Sequence, residues 1–213
     1  MIFRNKENFD KEGVYNNAGF PDTPYVCLRL PTGGGQTLLA SHTVPLVCKE
    51  YLAKDFALVL WLVPSNAILE QTLKALQDRK HPYREVIDLA FDGNVSILTV
   101  EDALYLIPST LRGNVAIIVS TLAAWRQKST EGRRVYQDNG SLKSHFENIS
   151  PTVKAKLEHF EHDNGSVLKN SLANVVYLNR PMLIIDEAHN ARTPLTFETL
   201  ERLNPSCIIE YTA

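Results

Sequence analysis

The chain has 213 residues, of which 44% are hydrophobic and 22% are charged. These are ordinary fractions for a globular protein, and a chain of this length buries roughly 70% of the surface that its unfolded form exposes, which excludes intrinsic disorder, collagen-like repeats and a disulfide mini-scaffold. The formal net charge is -2, so no overall basic field would hold nucleic acid unspecifically. A local basic surface remains open.

The cysteines and the apolar segments bear on the cell compartment. Cys27, Cys48 and Cys207 form no CxxC pair and no metal-ligand spacing, which favours a reducing compartment. The N-terminal segment is too polar for a signal peptide, and the longest apolar run ends at Pro64, far short of the roughly 20 residues that span a bilayer. The sequence therefore predicts a soluble, cytoplasmic protein with no membrane partner.

Short apolar runs recur along the chain and predict strands. Several are continuous runs of Val, Ile and Leu instead of alternating apolar and polar residues, which is typical of strands buried on both faces of a parallel sheet. The predicted strands are Tyr25–Leu30, Ala57–Val63, Val95–Val100, Val115–Ser120, Met182–Ile185 and Cys207–Tyr211.

Helical patterns alternate with these strands. A helix is predicted to begin after Thr37 and to kink or end at Pro45. The spacing of apolar residues predicts further helices over Asn66–Arg79 and Thr193–Leu203. Alternation of strands and helices implies right-handed crossovers, so the expected fold class is α/β, a mostly parallel sheet with helices on both faces.

A polar region interrupts this alternation from about residue 126 to residue 170. It carries two turn signals, Asp138–Asn139–Gly140 and Asp163–Asn164–Gly165, and is predicted to be partly helical around Val153–His162. A local excess of positive charge in its first part comes from Arg126, Lys128, Arg133 and Arg134. We interpret the region as an insertion, for which a solvated surface excursion is the simplest reading.

A glycine-rich turn follows the first predicted strand and opens a helix. It runs from Leu30 to Thr37 and reads LPTGGGQT. Backbone N–H groups of such a turn converge on a phosphate, and the helix N-terminus adds the positive end of its dipole. In a P-loop, a lysine reaches the β- and γ-phosphates, and the following hydroxyl ligates Mg²⁺. Gln36 stands at that lysine position, so a turn that binds no ligand stays open as the alternative.

Two carboxylates follow a later predicted strand. The run Leu183–Ile185 leads into Asp186 and Glu187, so both are expected at the carboxyl end of the strand, the edge where open α/β sheets bind ligands. An aspartate there holds Mg²⁺, directly or through water, and the adjacent glutamate orients or deprotonates an attacking water. Gly33–Thr37 and Asp186–Glu187 are therefore predicted to meet at this edge.

These segments resemble the first motor domain of superfamily 2 DEAD/DEAH-box helicases. Pro31–Thr37 is similar to motif I, PTGxGKT, and Asp186–His189 is the DEAH box, motif II. Val63–Asn66 resembles motif Ia, Val119–Leu122 resembles the Ser-Thr element around motif Ib, and Tyr211–Ala213 resembles the start of motif III. The LRLPTGGG segment, the STLAAW segment and the long insertion are most like the Res, or motor, subunit of type III restriction enzymes.

The resemblance implies a RecA-like P-loop domain over residues 1–213 that uses ATP and Mg²⁺ and grips the DNA phosphate backbone. The residues implied to bind the nucleotide are Thr32, Gly33, Gly34, Gly35, Gln36 and Thr37. The residues implied to hold Mg²⁺ are Thr37 and Asp186. The residues implied in catalysis are Asp186, Glu187 and His189. The residues implied to contact DNA are Pro64, Ser65, Asn66, Ser120 and Thr121.

Two departures from the family pattern leave alternatives open. Gln36 replaces the lysine, and the sequence stops at the motif III resemblance, before the second motor domain with its arginine finger. That domain, a nuclease and modification subunits are the expected partners, and the chain alone is expected to be a poor ATPase. The alternatives are a generic DEAD/DEAH-box helicase fragment and a degenerate, non-catalytic nucleotide- or DNA-binding module. A P-loop kinase or GTPase is disfavoured because the sequence has no NKxD motif.

Overall fold

The apolar runs fold as the strands of one parallel sheet. The computed structural model describes residues 20, 23–31, 33–126, 134–162, 165–186 and 193–213. In chain order its strands are β1 (Tyr25–Arg29), β2 (Leu58–Val63), β3 (Val95–Leu98), β4 (Val115–Thr121), β5 (His159–His162), β6 (Gly165–Leu168), β7 (Met182–Ile185) and β8 (Cys207–Thr212). Six of them form a sheet in the order β1-β8-β7-β2-β4-β3, in which all neighbouring strands are parallel.

Helices connect these strands. They are α1 (Gln36–Leu46), α2 (Asn66–Gln77), α3 (Pro82–Ala90), α4 (Val100–Ala103), α5 (Pro108–Gly113), α6 (Leu122–Trp125), α7 (Pro151–Lys154), α8 (Leu172–Asn179) and α9 (Pro194–Arg202). Between these elements lie a π-helical segment, Val47–Tyr51, and two 3₁₀ segments, Arg134–Tyr136 and Gly140–Phe146.

The sequence of strand β2 is apolar without alternation because both faces of the strand are buried. All of its residues are buried, and they divide between two separate core clusters. Leu58, Leu60 and Leu62 belong to one cluster, which also contains residues of α8 and α9. Val59, Trp61 and Val63 belong to the other, which also contains residues of α1, α2 and α3. The predicted fold class is therefore confirmed as α/β and RecA-like, with helices on both faces of the sheet.

The ends of the elements follow local capping. The Ser65 hydroxyl caps α2 by accepting a hydrogen bond from the Ile68 N–H. Strand β3 ends at Leu98 because Thr99 begins α4 with a capping box, in which its partner is Asp102. Helix α1 ends one residue after Pro45 and continues into the π-helical segment, since proline lacks the N–H that the α-helix needs there.

The prediction that the insertion is partly helical around Val153–His162 holds only at the start of that range. Helix α7 ends at Lys154, and the following residues form the antiparallel hairpin β5–β6, in which His162 pairs with Gly165. The turn signal between the two strands explains this outcome, because an Asn-Gly step flanked by pairable segments favours a hairpin over continued helix. Of that turn signal, residues 163 and 164 lie outside the described residues.

Candidate functional site

The glycine-rich turn between β1 and α1 is folded tightly upon itself. The Gly34 N–H donates a hydrogen bond of 2.8 Å to the Pro31 carbonyl. A Cβ atom at position 34 would lie 2.7 Å from that same oxygen, closer than side chains approach a backbone atom, so only glycine fits here. Gly35 precedes α1 with φ 80°, in the left-handed region that glycine adopts without strain. The turn therefore depends on its glycines.

The side chain of Gln36 is directed back into this turn. It is only 8% exposed, and its Nε2 donates a hydrogen bond of 3.2 Å to the Leu30 carbonyl. The residue at the lysine position therefore carries no charge and uses its amide to tie the end of β1 to the start of α1. Resemblance alone gave no indication of this hydrogen bond.

The turn and the end of β7 meet at one cleft. Asp186 directly follows β7, and its backbone N–H donates a hydrogen bond of 2.8 Å to the Leu62 carbonyl of β2. Asp186 is 7% exposed, and with Gly33, Gln36 and Thr37 it lines a cleft of about 460 Å³. The structure thus brings the glycine-rich turn and the aspartate together at the carboxyl edge of the sheet. The sequence predicts this, because each of them directly follows a strand of the parallel sheet.

A buried tyrosine fixes α1 to the sheet behind this cleft. Thr43 Oγ1 donates to the Leu39 carbonyl at 2.8 Å and also shares a 2.6 Å hydrogen bond with the Tyr211 hydroxyl. Because the single threonine proton is used on Leu39, Tyr211 is the donor in the second bond. Burial raises the pKa of Tyr211 to about 12, and the nearby Asp186 carboxylate raises it further, so the phenol keeps its proton at neutral pH.

The far wall of the cleft comes from α2 and from the start of α3. It contains polar residues that the resemblance does not assign, among them Lys74, His81 and Tyr83. His81 Nδ1 accepts a 3.3 Å hydrogen bond from the Tyr83 N–H and caps α3, so in the neutral ring the proton is on Nε2. The helical pattern of α2 gave Lys74 a place away from the apolar face. Only the fold shows that Lys74 lines the same cleft as the glycine-rich turn.

The predicted site residues have different placements. Gly33, Gly35, Gln36 and Thr37 line the cleft, whereas Gly34 shapes the turn beneath it. The predicted residues outside the described part of the chain are Thr32, Glu187 and His189.

The residues predicted to contact DNA lie at the same sheet edge, farther along it. Val63 pairs with Thr121, so the segments that follow β2 and β4 leave the sheet side by side. Pro64, Ser65 and Asn66 are exposed there. A second pocket, of about 640 Å³, includes Ser120, Thr121 and Arg134 in its lining.

Ser120 is used inside the protein. It is 1% exposed, and its hydroxyl accepts a 3.1 Å hydrogen bond from the Trp125 indole and donates one of 3.2 Å to the Thr121 carbonyl. Its side chain therefore positions Trp125, while the half-buried Thr121 lies nearer to solvent. Of the basic stretch, the described residues are Arg126, which bonds to Thr196 on α9, and Arg134, which is exposed and pairs with Glu101 at 3.4 Å.

Comparison with known proteins identifies the family. The family described as type III restriction enzyme, res subunit, matches residues 11–213. The chain belongs to this family. Membership in the res family implies a helicase-type, ATP-dependent motor domain, which in general uses ATP with Mg²⁺ and works with DNA and with other subunits. No curated protein matches the chain in a direct sequence comparison.

The residues of the cleft fit a nucleotide with its Mg²⁺. At Gly33 and Gly35 no heavy atom lies within 4 Å of the position a Cβ would take, so the backbone of the turn borders open space. Within the described residues no group of three or more His, Cys, Asp or Glu residues could hold a metal ion. The Thr37 hydroxyl and the Asp186 carboxylate line the cleft together, and this pair suits Mg²⁺, which keeps several waters and takes phosphate oxygens alongside one or two protein ligands. In the described part of the chain, no helix is long and apolar enough to cross a bilayer.

Proposed function

We propose that this chain is the ATP-binding, DNA-engaging first motor domain of a Res-type helicase or translocase, over residues 1–213. In the intact protein, it would couple ATP hydrolysis to movement on DNA. This proposal rests on the observation that Thr37, at the start of α1, and Asp186, at the end of β7, line the same cleft. Family membership supports the same conclusion.

Each part of the cleft has a distinct role in this proposal. The backbone N–H groups of Gly33, Gly35, Gln36 and Thr37 bind phosphate oxygens, helped by the positive end of the α1 dipole, while the Gly34 N–H holds the turn closed on the Pro31 carbonyl. The Thr37 hydroxyl and the Asp186 carboxylate hold Mg²⁺, which when bound neutralises charge on the phosphates. The resemblance gives Glu187 the role of orienting the attacking water and gives His189 a role in the DEAH box.

A second candidate function is a non-catalytic nucleotide- or DNA-binding module. The observation that favours it is the hydrogen bond from Gln36 to the Leu30 carbonyl, because an amide held in this way brings no charge to the γ-phosphate. The two candidates agree on binding and differ on turnover. Measuring ATP affinity and single-turnover hydrolysis separately therefore distinguishes them, since a non-catalytic module binds without hydrolysis even when a second motor domain is present.

Gly34→Ala tests the nucleotide site. The added Cβ would lie 2.7 Å from the Pro31 carbonyl, so the turn must move away from its phosphate-binding shape. We expect ATP affinity, measured by isothermal titration with Mg²⁺, to fall about tenfold or more, the scale of an overpacked site. Gly113→Ala is the matched control, because no heavy atom lies within 4 Å of its Cβ position and α5 accepts alanine. Equal affinities of the two variants would contradict the site.

The proposal for DNA rests on the segments after β2 and β4. Pro64, Ser65 and Asn66 surround the exposed start of α2, where backbone N–H groups attract phosphate. Thr121 and Arg134 line the pocket beside them. Together they form a surface suited to grip the DNA backbone, a contact that carries no sequence information.

Arg134→Gln tests this surface. Phosphate contacts release counterions, so DNA binding should weaken steeply with salt, and loss of one arginine contact should lower the slope of log affinity against log salt by about one. We expect that change for Arg134→Gln in filter or anisotropy binding, and no change for the exposed Arg112→Gln control. Binding that does not respond to salt, or equal slopes for the two variants, would contradict the proposal.

The remaining partners and the compartment complete the proposal. A second motor domain is the expected partner at the nucleotide cleft, with nuclease and modification subunits beyond it. A reducing cytoplasm is supported by the buried free thiols of Cys48 and Cys207. Burial raises the pKa of Cys48 and of Cys207 to about 11, so both stay protonated and unreactive at neutral pH.

A further inference from the structure

Helix α2 separates the two pockets at the carboxyl edge of the sheet. Leu69 and Leu73, one turn apart, line the pocket beside Thr121. The helix turns a different side toward the nucleotide cleft, where its lining residues are Ile68, Gln71, Thr72, Lys74 and Ala75. One element thus gives a wall to the nucleotide cleft and a wall to the surface proposed for DNA.

The charges around the cleft are unusual for a site that would hold phosphates. Among the described residues that line it, Lys74 is the only lysine or arginine, whereas Asp78 and Asp186 are carboxylates. Gln36 adds no charge, and its amide is held by the Leu30 carbonyl. Within the described lining, a phosphate chain in this cleft therefore meets one permanent cation, and that cation is on α2 instead of on the glycine-rich turn.

The Lys74 ammonium is available for such a contact. The residue is exposed, and within the described part of the chain the ion pairs are Arg84–Asp88 and Arg134–Glu101, neither of which involves it. A lysine has a four-carbon stem and three donors, so it can follow an anion over several ångströms. Such a flexible cation attracts ground-state phosphates well but is poorly placed to meet charge at one fixed position.

We propose that Lys74 supplies the positive charge to the bound nucleotide's phosphates that Gln36 does not supply. This inference rests on the proposed function, because it requires a nucleotide in the cleft. It assigns Lys74 a binding role across the cleft and leaves the glycine-rich turn to bind through its backbone alone. The nucleotide is then held between α1 and α2.

The test measures the affinity of a fluorescent ATP analogue with Mg²⁺ in the absence of DNA. Lys74→Met should weaken binding roughly three- to tenfold, the range expected for losing a charge-assisted contact at an exposed position. Lys74→Arg should keep most of the affinity, and added salt should reduce the difference between Lys74→Met and the unaltered protein. Lys80→Met is the matched control, because Lys80 follows α2 but does not line the cleft.

A double-mutant cycle with Gln36→Lys gives an independent readout. If Lys74 compensates for the missing lysine, Lys74→Met should cost several times less affinity in the Gln36→Lys background than in the unaltered protein. Equal affinity of Lys74→Met and the unaltered protein, or an equal loss in Lys80→Met, would overturn the inference while leaving the nucleotide site intact. Absence of nucleotide binding by the unaltered protein would instead overturn the proposed function and this inference with it.

Discussion

We expect Gln36→Lys to raise single-turnover ATP hydrolysis by roughly 10³ in a protein that joins this chain to a second motor domain. In the 213-residue chain alone, the rate should stay negligible with either residue. Phosphoryl transfer relies on positioned charge, and both the P-loop lysine and an arginine finger contribute to it. Lys74 attracts phosphate from a flexible side chain and does not replace a cation fixed at the turn.

The control for this prediction is Gln36→Met. It removes the hydrogen bond to the Leu30 carbonyl without adding charge, so it separates release of the turn from gain of a cation. We expect no increase in hydrolysis for Gln36→Met. Equal single-turnover rates with glutamine and lysine at position 36 in the joined protein would mean that Gln36 does not limit the reaction.

Arg84→Met should have the largest effect on stability. Arg84 is 5% exposed, and its guanidinium pairs with Asp88 at 2.7 Å. It also donates to the Leu76 carbonyl at 3.0 Å and to the Val95 carbonyl at 3.2 Å, which fastens the end of α2 and the start of β3 to α3. Removing it leaves a half-buried carboxylate and two carbonyls without this donor. We expect unfolding free energy, from urea denaturation, to fall by about 3 kcal/mol.

Two comparisons identify the cause of that loss. Arg84→Met combined with Asp88→Leu should recover part of the stability, because the orphaned carboxylate is removed. Arg112→Met, on an exposed position of α5, should change the unfolding free energy by less than about 0.5 kcal/mol. A loss below about 1 kcal/mol for Arg84→Met would show that water replaces the guanidinium at these sites.

Much of the sheet was predictable because its strands are buried on both faces. The runs that became β2 and β4 are apolar along their whole length, and this feature comes from the layered fold itself. Helix α3 was not predicted, although Pro82 stands at its first position, because its short apolar pattern is interrupted by charged residues such as Arg84. The β5–β6 hairpin was missed because pairing with a second segment overrode a weak helical pattern.

The sequence predicted those parts of the site that are local sequence patterns at the ends of predicted strands. The glycine-rich turn and Asp186 are local patterns whose meeting follows from strand order. The roles of Gln36 and Ser120 depend on contacts with the Leu30 carbonyl and Trp125, for which residue type gives no signal. Lys74 lies far from the turn in sequence, and only the packing of α2 brings it to the cleft.

The central claim is that the cleft between the glycine-rich turn and Asp186 binds ATP. Hydrogen exchange with and without ATP and Mg²⁺ tests it most directly, because the first N–H groups of α1 have no intrahelical partner and should exchange fast until a phosphate covers them. At about ten times the dissociation constant of ATP, exchange in peptides covering residues 33–39 should slow about tenfold. Binding of ATP with unchanged exchange there, or with protection confined to residues 64–66, would contradict the account.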